Sequence, residues 1–190
     1  QRPTIIGFQE VLANQLKDLQ QELSAFRYVG VGRDDGKEAG EFAPIFYDTT
    51  RYKLLQSGTF WLSPTPEAPS KGWDAALNRI CTFALVESKY DGKKLWVLNT
   101  HFDHVGTEAR RYSAELLIEK FAELTQEVNA PLLLLGDFNA EPDSQVYQLL
   151  QTSFNDLSCS KRHRELCSEP TFNAFTLSEN DRSEERRVGK

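Results

Sequence analysis

Residues 131–144, PLLLLGDFNAEPDS, place four consecutive leucines directly before a glycine, an acid, an aromatic and an amide. A short apolar run bounded by turn-forming residues is typical of a strand buried on both faces, so residues 132–135 are predicted to form a central strand. Asp137 and Asn139 follow it two residues apart, on one face of an extended segment. A solvated loop would explain these polar residues without any function. A buried carboxylate would instead need a cation, a proton or several hydrogen-bond donors.

The rest of the chain alternates between strand-like and helical patterns. Leucines repeat every three or four residues between positions 12 and 23, which predicts an amphipathic helix between short strands at residues 5–9 and 28–31. Residues 91–92, Asp-Gly, predict a hairpin turn, and a second apolar repeat predicts a helix capped by Thr107. Hairpins mixed with strand–helix units predict an α/β fold in which helices cover mixed sheets.

Two more predicted strand ends carry polar residues, Glu10 and His101. Taken alone, Glu10 fits an ordinary acid in the first turn of a helix, and His101 and His104 fit either structural histidines or a pair of zinc ligands. Asp103 and His104 could also orient His101 through hydrogen bonds. Ligands of open α/β sheets bind where strand ends meet, so these residues and Asp137 together indicate one site. Carboxylates suit Mg²⁺ or Mn²⁺, and a histidine and an amide beside them suit phosphate chemistry.

The composition limits the classes of protein that fit. With 190 residues and no recognisable linker, the chain fits one large domain, and we favour a monomer. Its net charge of −6 argues against a broad basic surface for nucleic acid, although a local phosphate site is compatible with it. No stretch approaches the ~20 apolar residues of a membrane span. Cys159 and Cys167 fit either a disulfide or two free thiols, so the compartment stays open.

The sequence resembles the endonuclease/exonuclease/phosphatase family, which includes deoxyribonuclease I, abasic-site endonucleases, inositol polyphosphate 5-phosphatases and deadenylases. The matching stretches are GFQEV (7–11), GEFAPIFY (40–47), NTHFDH (99–104), LLLLGDFNAEPDS (132–144) and PTFNAF (170–175). The resemblance covers roughly residues 4–177. It implies a four-layer α/β sandwich, in which two mixed sheets face each other and helices lie outside.

The resemblance also implies a role for each matching residue. Glu10 resembles the metal-binding glutamate of the family, and His101 the histidine that contacts the scissile phosphate. Asp137 resembles the aspartate that orients or deprotonates the attacking water, and Asn139 the amide that holds a phosphate oxygen. Mg²⁺ or Mn²⁺ is the implied cofactor, and a phosphorylated small molecule or a nucleic acid the implied substrate. Two alternatives stay open, namely a non-catalytic binding or regulatory module on the same fold and a zinc protein that uses His101 and His104.

The sequence departs from the family pattern at both ends. The family has an asparagine in a strand before the glutamate motif and a Ser-Asp-His motif at its end, and neither is found here. We therefore expect residues 1–181 to form a partial domain, incomplete at both termini, which need not be active by itself. Residues 182–190, RSEERRVGK, resemble an extraneous adapter-derived tail, and a solvated charged tail is the alternative.

Substrate choice in such a fold is expected to reside in loops. The candidates are the glycine-rich residues 32–41 and the proline-rich residues 63–73. Arg79 and Arg110 are conceivable substrate contacts. Solvated surface arginines are the favoured interpretation of both, and Glu41 is interpreted as an ordinary loop acid.

Overall fold

The structure is a computed structural model that describes residues 2–157. The predictions on Cys159, Cys167, residues 170–175 and the tail at residues 182–190 lie outside that range. The described elements, in chain order, are β1 (Ile5–Gly7), α1 (Ala13–Glu22), β2 (Phe26–Val29), β3 (Ile45–Asp48), β4 (Tyr52–Trp61), β5 (Ile80–Ser88), β6 (Lys94–His101), α2 (Thr107–Glu127), β7 (Leu132–Asp137) and α3 (Gln145–Gln151).

The strands form two sheets. The smaller has the order β1-β3-β2 and is antiparallel in both of its pairings. The larger has the order β4-β5-β6-β7 and is mixed, because β6 and β7 are parallel whereas the other pairs are antiparallel. The chain crosses from the smaller sheet to the larger between β3 and β4, and the predicted Asp-Gly turn joins β5 to β6.

The two sheets pack face to face between two helical layers. Along β6, Leu98 packs against α2 and α3, whereas the adjacent Val97 packs against Ile45 of the smaller sheet. On the other face of β3, Phe46 packs against Leu16 of α1. Since alternate residues of a strand point to opposite faces, each sheet buries both of its faces. The predicted four-layer α/β sandwich is confirmed.

Strand β7 differs from the prediction in its position and in its burial. Within residues 2–157 it pairs with β6 alone, so among the described strands it is the outermost of the larger sheet rather than a central one. Leu135 is buried, but the other leucines of the strand are only partly covered. The apolar run reflects contact with the helices on one face and the second sheet on the other.

Helix α2 begins at Thr107, as expected, but Thr107 is not its cap. The carboxylate of Asp74, in the loop before β5, accepts hydrogen bonds from the backbone N–H groups of Glu108 and Ala109. A carboxylate suits this position because the first N–H groups of a helix lack internal partners. None of the helices in the described range combines the length and the apolar character that crossing a bilayer requires.

Candidate active site

The parallel pairing of β6 and β7 brings His101 and Asp137 together. Each is the last residue of its strand, and the two are direct neighbours in the sheet register. His101 Nε2 lies 3.9 Å from Asp137 Oδ2. The two predicted strand-end motifs therefore meet because parallel strands end at the same edge of a sheet.

A glycine before Asp137 allows the strand to end this way. Gly136 has a φ of +154°, and a Cβ atom there would lie 2.4 Å from the carbonyl oxygen of Thr100. Only glycine fits so close to a neighbouring backbone. The close approach of Gly136 to the backbone of Thr100 fixes the chain immediately before Asp137.

Asn139 folds back onto the histidine. Its backbone N–H donates to Asp137 Oδ1 over 2.9 Å, and its φ of +45° lies in the left-handed region that asparagine tolerates. Its Nδ2 donates to the carbonyl oxygen of Phe102 over 2.9 Å and lies 3.2 Å from His101 Nε2. The structure thus brings His101, Asp137 and Asn139 into one hydrogen-bonded group.

Glu10 reaches the same place from the other sheet. Its Oε1 lies 3.8 Å from His101 Nε2, and its side chain is 67% exposed. Helix α1 begins only at Ala13, so Glu10 is not an acid in the first helical turn. Its φ of +59° is unusual for a glutamate and costs on the order of 1–3 kcal/mol. Such strain is typical of residues whose position serves a function.

Asn99 holds the Glu10 segment against the larger sheet. Its fully buried side chain donates to the carbonyl oxygens of Phe8 (2.7 Å) and Pro44 (3.1 Å) and accepts from Gln9 Nε2 (2.7 Å). A Cβ atom on Gly7 would lie 2.6 Å from Asn99 Oδ1, so the two sheets approach closely here. Asn99 therefore links β6 to the residue preceding Glu10.

Replacing Asn99 with leucine is expected to lower the free energy of unfolding by about 1–3 kcal/mol, because buried carbonyl groups lose their donors. Gln9→Ala removes only one contact of Asn99 and should cost less, about 0.5–1.5 kcal/mol. Urea unfolding of both variants measures the difference. Equal losses would show that Asn99 contributes nothing beyond its bond to Gln9.

His101 is uncharged at neutral pH. Burial lowers the pKa of His101 to about 4, and the positive charge of Arg79 adds to this effect, whereas Asp137 opposes it. His101 therefore offers a directional hydrogen bond rather than a positive charge.

Two buried arginines line a narrow cleft beside His101. Arg33 is 8% exposed and Arg79 is 3% exposed, so the interpretation of Arg79 as a solvated surface residue is wrong. Glu41 lines the same cleft and accepts a hydrogen bond from Arg33 Nη1 over 2.5 Å. The interpretation of Glu41 as an ordinary loop acid is therefore wrong. The sequence held a weak signal for both arginines: Arg79 directly precedes the apolar strand β5, and Arg33 lies in a glycine-rich loop.

Asp103 and His104 support Arg79 rather than His101. Asp103 Oδ2 accepts from Arg79 Nε over 3.2 Å, and Arg79 Nη2 lies 2.9 Å from His104 Nδ1. Burial by itself would raise the pKa of Asp103, but backbone N–H groups, including that of Gly106, and the Arg79 guanidinium bring it well below its usual range. Arg110 Nη1 donates to the carbonyl oxygen of Asp103, which gives this arginine an internal partner as well.

The donor set fits magnesium or manganese better than zinc. Residues 2–157 contain no group of three or more His, Cys, Asp or Glu side chains arranged to hold a metal ion. His104 faces Arg79, which leaves the zinc alternative without support from the geometry. Glu10 and Asp137 both approach His101 Nε2, and Mg²⁺ usually binds one or two carboxylates and keeps several waters.

Several known proteins resemble this chain in sequence and in overall fold. The model of the Endonuclease/Exonuclease/phosphatase family matches residues 1–183. A mannosyl-6-phosphatase from Bacteroides thetaiotaomicron, Bt3783, is 45% identical, with a TM-score of 0.77 over 78% of this chain and 56% of that one. An endonuclease/exonuclease/phosphatase from Bacteroides vulgatus is 48% identical, with a TM-score of 0.76 over 79% of this chain and 57% of that one.

A more distant relative is the uncharacterized protein L388 of Acanthamoeba polyphaga mimivirus. It is 29% identical over 169 residues, which are 83% of this chain and 61% of that protein. The chain thus spans little more than half the length of the two bacterial structures and about three fifths of the viral protein.

Proposed function

Because this chain belongs to the Endonuclease/Exonuclease/phosphatase family, we propose that it carries the site of a Mg²⁺- or Mn²⁺-dependent hydrolase of phosphoester bonds. The substrate is a phosphorylated small molecule or a nucleic acid. The observation that supports this most is the convergence of Glu10 and Asp137 on one nitrogen of His101. Glu10, His101 and Asp137 follow or end three different strands and are far apart along the chain.

Glu10 would hold the cation, since its carboxylate is the most exposed of the group and faces His101. When bound, the ion supplies positive charge against the negative charge that develops on the phosphoryl group. Among residues 2–157, Glu10 lies near His101, which is uncharged, and forms no ion pair with a lysine or an arginine. A strained backbone holds it in this position.

Asp137 would orient the attacking water and accept its proton. Its Oδ1 is occupied by the backbone N–H of Asn139, which fixes the plane of the carboxylate. Its Oδ2 faces His101 and is the oxygen left to accept from a water. A positioned general base of this kind contributes about 10²–10⁴-fold to the rate.

His101 and Asn139 would bind phosphoryl oxygens. They lie in contact with each other beside Asp137, so an oxygen bound between them would be close to the water that Asp137 holds. Hydrogen bonds fixed in advance stabilise the charge that shifts onto these oxygens during in-line attack.

The test is metal-dependent hydrolysis by the full chain, screened against plasmid DNA, RNA and phosphorylated sugars, the last because Bt3783 is a mannosyl-6-phosphatase. Asp137→Ala is expected to lower kcat/KM at least about 100-fold. The control, Asp91→Ala, lies in the β5–β6 turn at the far end of these strands and should keep full activity. Unchanged activity of Asp137→Ala would remove Asp137 from the mechanism, and binding without turnover would favour the non-catalytic module.

A further inference from the structure

We infer that Arg33 and Arg79 form a subsite for one phosphoryl oxygen, and that this subsite makes the chain selective for phosphomonoesters over phosphodiesters. The inference rests on the proposed function, because the subsite borders the same His101. It adds the class of ester that the site accepts. It also assigns a role to two arginines and to the loop at residues 32–41.

Each arginine has a buried N–H group without a partner in the described part of the chain. The groups are Arg33 Nε and Arg79 Nη1, and both side chains line the cleft with His101, Phe42 and Ile80. A guanidinium carries donors only and stays protonated, so nothing but an acceptor can satisfy these groups. Leaving them unsatisfied is costly, and an anionic oxygen satisfies both the hydrogen bonds and the charge.

The loop at residues 32–41 holds Arg33 in place before any ligand binds. The backbone N–H of Arg33 donates to the carbonyl oxygen of Glu41 over 3.1 Å, and its own carbonyl accepts from Trp61 Nε1 over 2.7 Å. The Glu41 carboxylate accepts a hydrogen bond from Arg33 Nη1, and Arg33 Nε has no partner among the described residues. A donor fixed in this way loses little entropy when it binds an anion.

Arg79 is fixed by a separate set of contacts. Asp103 is 1% exposed and engages Nε, and His104 lies against Nη2, so Nη1 is the N–H group that remains. The carboxylate of Asp103 offsets the cost of burying the guanidinium. The two arginines thus reach the cleft from different loops and with different carboxylate partners.

The number of oxygen positions favours monoesters. In the proposed arrangement, one phosphoryl oxygen would face the cation held by Glu10, and a second would bind at His101 and Asn139. A third would enter the cleft that Arg33 and Arg79 line. A phosphomonoester has three non-ester oxygens and a charge of about −1.5 to −2 at neutral pH. A diester has two such oxygens and one charge, so it would leave the arginine donors unsatisfied or oppose them with an ester oxygen.

The first test compares hydrolysis of 4-nitrophenyl phosphate with that of bis(4-nitrophenyl) phosphate by the full chain with Mn²⁺. We expect the monoester to be preferred, and Arg33→Gln to lower its kcat/KM by about 10- to 100-fold while the diester changes less than about threefold. The double variant Arg33→Gln/Glu41→Gln leaves neither charge unpaired and should show the same selective loss. Arg27→Gln, on an exposed position of β2, is the matched control and should change neither rate.

The second test needs no turnover. Inorganic phosphate in the presence of EDTA should raise the Tm of the wild-type chain and of Arg27→Gln by about 2–4 °C, and this shift should vanish in Arg33→Gln. Equal losses on both esters, or a phosphate shift that survives in both Arg33 variants, would overturn the subsite. If neither of these esters nor any of the nucleic acids and phosphorylated sugars is hydrolysed, the proposed function fails, and the phosphate shift alone decides whether the subsite exists.

Discussion

Glu10→Gln is expected to lower metal-dependent kcat/KM by about 10³-fold, because a carboxylate that holds the cation contributes several kcal/mol to charge stabilisation. The substitution keeps the shape of the side chain and removes only its charge. Glu10→Asn should lose as much activity but should raise the metal-free unfolding free energy by about 0.5–1 kcal/mol, because asparagine tolerates the φ of +59° found here. Steady-state kinetics and urea unfolding measure the two effects.

Glu87→Gln provides the control for Glu10. Glu87 lies opposite Lys94, at the end of the β5–β6 pair that is remote from His101, so its charge should not affect the site. If Glu10→Asn lowered stability as well as activity, asparagine would not relieve strain at this position. Activity within tenfold of the wild type in both Glu10 variants would remove Glu10 as the metal ligand.

Asp103→Asn is expected to lower the free energy of unfolding by about 3–5 kcal/mol, because it leaves the buried charge of Arg79 without compensation. Asp103 also accepts from the backbone N–H groups of Val105 and Gly106, so the loop after β6 loses part of its support. Urea unfolding at pH 7 measures the loss. Asp91→Asn, which breaks an exposed pair with Lys93, is the control and should change stability far less.

The effect of Asp103 should also depend on pH. The pKa of Asp103 is lower in the folded chain than its ordinary value of 3.8, so the unfolded chain binds the proton first as the pH falls. The stabilisation is therefore complete above pH 3.8 and is lost progressively below it. The difference in stability between the wild type and Asp103→Asn should be smaller at pH 3 than at pH 7. A difference that stayed constant would show that the charge of Asp103 does not carry the effect.

The contact between His101 and Asp137 could be predicted from the sequence because it depends on strand ends. An apolar run followed by a polar residue marks the end of a strand, and parallel neighbours end at the same edge. The left-handed backbone at Glu10 was not predictable, since propensity disfavours it for glutamate and only the surrounding structure enforces it.

The burial of Arg33 and Arg79 could not be predicted because it depends on packing between distant segments. The backbone carbonyl of Arg33 accepts from Trp61 Nε1, and Arg79 donates to Asp103, which follows it by 24 residues. A charged residue in a loop is usually solvated, so local pattern alone favours the wrong interpretation. The outermost position of β7 among the strands of residues 2–157 is a similar case, because four leucines fit an outer strand as well as a central one when both faces are covered.

The cross-strand pairing of His101 with Asp137 ties competence for chemistry to the alignment of two strands. Side chains alternate in direction along a strand, so a slip of β7 by one residue would turn the carboxylate away from the histidine altogether. A misaligned chain would therefore be inert rather than altered in its choice of substrate. Loop exchanges that leave this pairing untouched can vary what is bound while the reacting groups stay where they are.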